Sequence, residues 1–134
     1  MQTLQVGSIS HGTLIPADLI DAMLDVLDAF PGDKREVKRL RQEKNSDWND
    51  EIVNNLIDRL QEYAPDFCYV GMHPGDGSDL GVWIDWDSVE IARYDIELPS
   101  GDELPERNRG RFLVVNDHGN ATLYHGSKEI WAVV

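Results

Sequence analysis

Leu60-Gln61-Glu62-Tyr63-Ala64-Pro65-Asp66-Phe67-Cys68-Tyr69-Val70-Gly71-Met72 is the stretch in which the hydrophobic period of the chain changes. Upstream of it, apolar residues recur every three or four positions, the spacing of one helical face. Downstream, aromatic and β-branched residues crowd into short extended runs. Pro65 marks the change, since a proline has no backbone N–H with which to continue the helix. One switch from helix to strand predicts an α+β fold: N-terminal helices packed on a C-terminal antiparallel sheet, the sheet made of a hairpin plus a three-stranded meander.

Upstream, Ile52, Val53, Leu56, Ile57, Leu60, Tyr63 and Ala64 line one face of a helix that Ser46 or Asp47 can cap. An earlier helix opens at Pro16, carries Leu19, Ile20, Met23, Leu24, Leu27 and Phe30 on one face, and ends at Pro31-Gly32. Between them Asp33 and Glu36 form a D-x-x-E variant of the capping box. It opens a short basic helix with only Val37 and Leu40 to turn inward. Downstream, residues 67–72 and 80–86 read as a hairpin around a glycine-rich loop, and residues 88–95 fit either period. A polar connection over 97–110 leads to strands at 111–116, 121–125 and 129–134, with turns at 116–120 and 126–127. The length predicts one domain over residues 1–134, helical over about 13–64 and β-rich over about 66–134.

Twenty-five Asp and Glu stand against twelve Lys and Arg, a formal charge of −13. Half of the bases (Lys34, Arg35, Lys38, Arg39, Arg41 and Lys44) fall within residues 33–44, which carry +3, so the remaining residues carry −16. Such a balance repels DNA, RNA and anionic lipid and steers toward basic partners, so direct nucleic-acid or membrane binding is not expected. The basic run is expected to offset carboxylates of the chain itself. Met1-Gln2-Thr3-Leu4-Gln5 has neither a basic n-region nor an apolar h-region, and the lone cysteine, Cys68, fits a reducing compartment. The expectation is a cytoplasmic protein.

Two constellations carry chemistry. Asp18, Asp21, Asp25 and Asp28 are spaced three, four and three apart, which stacks their carboxylates on one polar helical stripe, a coarse imitation of a phosphate strand that a basic protein can grip. His73, Asp76 and Asp79 place one imidazole and two carboxylates around the glycine-rich turn, ligand types that suit zinc, manganese or calcium. Their spacing matches no specific metal signature, and the bland reading is a turn whose aspartates bond their own backbone. Gly75, Gly77 and Gly81 miss the dinucleotide spacing, and Ser78 sits in no G-x-S-x-G elbow. Asp117 beside His118 reads as turn chemistry, and Asp85 with Asp87 as an exposed strand face beside Trp83. Trp83, Trp86 and Trp131 read as core. No catalytic set and no cofactor are expected.

Three stretches carry a resemblance: Tyr63-Ala64-Pro65, Gly71-Met72-His73-Pro74-Gly75-Asp76-Gly77-Ser78-Asp79-Leu80-Gly81-Val82-Trp83, and Val115-Asn116-Asp117-His118-Gly119-Asn120-Ala121-Thr122-Leu123-Tyr124. With Ser10-His11-Gly12-Thr13-Leu14, they resemble a group of small acidic proteins from phages and plasmids that has no established activity. The resemblance implies a mobile-element accessory protein. Joined to the charge, it makes the expected function a non-enzymatic one: binding a basic host or element protein through an acidic surface, including nucleic-acid mimicry against a defence effector. The alternative is a small metal-dependent hydrolase or ligand-binding domain centred on residues 73–79, with His118 as a helper. A homo-oligomer through the apolar terminal strand at 129–134 is a further expectation.

Overall fold

The computed structural model describes residues 3–43, 47–96, 111–115, 120–125 and 128–133. The elements run β1 (Gly7–His11), α1 (Pro16–Leu27), a 3₁₀ turn (Pro31–Asp33), α2 (Lys34–Gln42), α3 (Asp50–Gln61), β2 (Cys68–His73), β3 (Asp76–Ile84), α4 (Trp86–Ile96), β4 (Arg111–Val115), β5 (Ala121–His125) and β6 (Lys128–Val133). This is the α+β architecture that the change of period predicts, with antiparallel pairing throughout. The chain divides into two compact units. One joins Met1–Ala64 to Cys68–Ile84, and the other joins Pro65–Phe67 to Asp85–Val134, so the hairpin belongs with the helices rather than with the meander.

In the first unit the sheet has the order β1-β3-β2. Helix α1 packs against α3 and β1, and α3 packs against β2. The apolar stripes do this work: Leu19, Ile20, Met23, Leu24 and Leu27 of α1 are buried, with Val53, Leu56 and Leu60 of α3 and Val70, Leu80 and Val82 of the sheet. Val37 and Leu40 are the buried residues of α2, as their isolation in a basic run predicts. Helix α1 stops at Leu27, earlier than Pro31-Gly32 suggests, and Phe30 leaves the helical face to stack on Tyr63 at 4.0 Å.

The capping box does not form. Asp33 precedes α2, but its buried carboxylate accepts from Arg59 and from the Tyr63 hydroxyl instead of from its own backbone, while Glu36 pairs with Arg39. A fully buried carboxylate needs a charged partner and a donor; Arg59 of α3 and Tyr63 just beyond it supply them, which ties the turn before α2 to the end of α3. Helix α3 begins at Asp50, and Asn49 caps it by accepting from the Ile52 N–H at 3.1 Å. Of the two expected caps, Asp47 lies too far upstream, and Ser46 lies outside the described residues.

Strand β1 has no counterpart in the sequence reading. Its five residues, Gly-Ser-Ile-Ser-His, hold one apolar side chain and show no alternation, yet they pair along β3 from Gly7 opposite Val82 to His11 opposite Asp79. That partner turns half of the expected glycine-rich loop into strand, and the hairpin turn shrinks to Pro74-Gly75 between His73 and Asp76.

The second unit holds the sheet β4-β5-β6, in register as a meander, with Leu113, Ala121, Leu123 and Trp131 buried in it and Val89 buried on α4. Residues 88–95, readable either way, are helical. Asp85 lies beyond the end of β3 and caps α4, and Asp87 sits in its first turn, so the two are not a paired strand face. The expected connection over 97–110 and the turns at 116–119 and 126–127, including Asp117 and His118, lie outside the described residues, as do Lys44 and Val134.

Candidate metal centre

The geometry begins with an irregular ladder. Met72 pairs with Leu80, yet the next residue, His73, pairs with Asp76, so residues 77–79 have no partner on β2 and bulge from that side of β3. On the other side, β1 has its own bulge between Ser8 and Ser10, after which His11 lies opposite Asp79. Gly12 then turns away at a φ of +82°, a value that favours glycine, and donates its N–H to the Ser78 carbonyl at 3.1 Å. The two bulges bring His11, Asp76 and Asp79 together, each offering a ligand atom, and these atoms all lie within 4.8 Å of one another.

The carboxylates are oriented by neighbours. Asp76 Oδ1 accepts from the Ser78 N–H at 3.0 Å and from the Ser78 hydroxyl at 2.8 Å, leaving Oδ2 toward His11 Nε2 at 3.1 Å. Those bonds, Ser78 first and His11 after, hold the Asp76 carboxyl below its ordinary value of 3.8. Asp79 Oδ1 accepts from the Ser8 hydroxyl at 2.6 Å. Around one zinc ion with ligands ~2.1 Å away, neighbouring ligand atoms stand roughly 3–3.5 Å apart. The His11–Asp76 separation already fits that spacing. Asp79 has to swing inward by about 1 Å, which a half-exposed side chain can do.

Of the three residues expected to form this site, Asp76 and Asp79 are brought together and His73 is not. The His73 Nδ1 accepts from the Gly75 N–H at 2.9 Å, and the ring meets the edge of Trp83 at 4.7 Å. Its place is taken by His11, sixty-five residues before Asp76. The sequence signal for His11 was thin: a histidine before a glycine in a short polar run.

The aspartate stripe exists, and it is partly answered from within. Asp18 accepts from Thr13 Oγ1 at 2.8 Å, Arg41 reaches both Asp21 (3.1 Å) and Asp25, and Lys34 Nζ stands 3.8 Å from Asp28. Arg39 is tied to Glu36 and Glu43. Lys34, Arg39 and Arg41 of the basic segment therefore pair within their own chain, as exposed pairs worth ~0–1 kcal/mol each. The stripe still faces solvent, with the side chains of Asp21, Asp25 and Asp28 exposed by 62%, 73% and 61%.

Trp131 is core and donates to the Asp66 carbonyl, Trp83 is half-buried and donates to the Gly71 carbonyl, and Trp86 is exposed. A groove of about 420 Å³ between α2 and α3 is lined by Glu36, Arg39, Leu40, Ile52, Asn55, Leu56 and Arg59 and contains none of the three ligand candidates. Among the described residues no helix is long and apolar enough to cross a membrane. Comparison of the chain with family models, with curated proteins and with solved structures returns no match.

Proposed function

We propose that the protein binds one divalent transition-metal ion, zinc or manganese, through His11, Asp76 and Asp79. The observation that carries this reading is the convergence of an imidazole and two carboxylates from two strands, each carboxylate held by a serine in the manner of outer-shell support. An imidazole favours zinc and manganese over calcium, which takes oxygen ligands. Three protein ligands leave positions for water, and the groove between α2 and α3 contains none of them, so the reading is confined to ion binding. Calorimetric titration of the purified protein with zinc, manganese and calcium chlorides tests it. Zinc or manganese is expected to bind at one ion per chain and at least ~tenfold more tightly than calcium; no heat with any of the three would sink the reading.

A second reading is favoured by the solvent-facing stripe: an accessory protein of a phage or plasmid that docks on a basic host or element protein, including by imitating nucleic acid. Its support is the exposure of Asp18, Asp21, Asp25 and Asp28 despite Arg41 and Lys34. Pull-down from host lysate should recover a basic protein whose retention falls steeply as salt rises, and Asp21→Lys combined with Asp25→Lys should abolish the capture. Capture indifferent to salt, or to that double change, would contradict it.

A further inference from the structure

Resting on the ion-binding reading above, we propose that the metal acts as a clasp that closes β1 onto β3. Strand β1 is the weakest-held element of the first unit's sheet. Like β2 it is an edge strand with a bulge in its ladder, but it is shorter and none of its five residues is buried, whereas β2 buries Cys68 and Val70. Two positive-φ glycines bracket it, Gly7 at +137° and Gly12 at +82°. The chain is anchored on either side, by Leu4, buried with its N–H on the Tyr63 carbonyl, and by Leu19 of α1. The span between these anchors is a strap with a hinge at each end, the kind of segment that opens locally at low cost.

Two side-chain links hold the strap to β3, Ser8 to Asp79 and His11 to Asp76. All three proposed metal ligands lie on these links, with His11 on the strap and both aspartates on β3. An ion shared between them is lost whenever the strap lifts, so binding disfavours the lifted state by the factor 1 + [metal]/Kd.

Native-state hydrogen exchange on the full chain reads this directly. Gly12 is the reporter, because its N–H is held by the Ser78 carbonyl across the two strands. With zinc chloride at 100 times the calorimetric Kd, exchange at Gly12 should slow about 100-fold relative to protein in chelator. In His11→Ala the same zinc concentration should leave it unchanged. Calorimetric binding of zinc with no slowing at Gly12 would overturn the clasp while leaving the ion-binding reading intact. Absence of binding would remove both.

Discussion

Asp85 is a single residue whose role depends on which element claims it. As a strand residue it would pair with Asp87 on one face. In the structure its carboxylate accepts from the Ser88 hydroxyl at 2.8 Å and from the Ser88 N–H at 3.3 Å, closing the first turn of α4. Those bonds depress its carboxyl below the ordinary value of 3.8, the hydroxyl foremost. A depressed folded-state value means that the stabilisation is complete above the unfolded value and is lost as pH falls through the folded one. Asp85→Ala should therefore melt below the wild type at neutral pH, and the gap should close as the solution is acidified below 3.8. Asp85→Asn, which keeps an acceptor but not the charge, should lose the pH-dependent part of that stability at neutral pH. A gap that persisted in acid would mean that something other than the ionised cap is at work. His11 shows the same limit of reading a residue by its neighbours in sequence: imidazole and carboxylates were sought within seven consecutive positions, but the ladder joins Asp76 and Asp79 to a residue near the other end of the chain.

Among elements, those with a long period were legible and those held by pairing were not. Helices α1 and α3 announce themselves by apolar stripes: the α1 stripe is buried throughout, and in α3 Val53, Leu56 and Leu60 are buried while Ile52 and Ile57 are half-buried. Strand β1 announces nothing, because its stability comes from backbone bonds to β3 and not from a buried face. Missing it hid the true extent of β3 and made half of that strand look like loop. The close fit of β1 to β3 has its own signature at Gly81, where an added Cβ would lie 2.4 Å from the Gly7 carbonyl oxygen and 2.6 Å from the Trp83 ring. Backbone on one side and an indole on the other leave nothing flexible to give way. Gly81→Ala should cost roughly 1–3 kcal/mol in urea unfolding. A cost below about 0.5 kcal/mol, the range of an ordinary surface change, would show that β1 does not press on β3 there.

At the scale of the molecule, the charge was legible as a sum but not as a layout. The first unit carries fourteen acids against seven bases and the second eleven against five. Arg41 and Lys34 fold back onto the stripe, which makes these two bases a counterweight to α1. The feature that remains specific in three dimensions is the meeting of His11, Asp76 and Asp79, and on it the account stands. The most direct test is a parallel zinc titration of His11→Ala and His73→Ala against the unaltered protein. The account predicts that His11→Ala loses ~tenfold or more in affinity while His73→Ala binds as before; equal loss in both, or loss in His73→Ala alone, would contradict it.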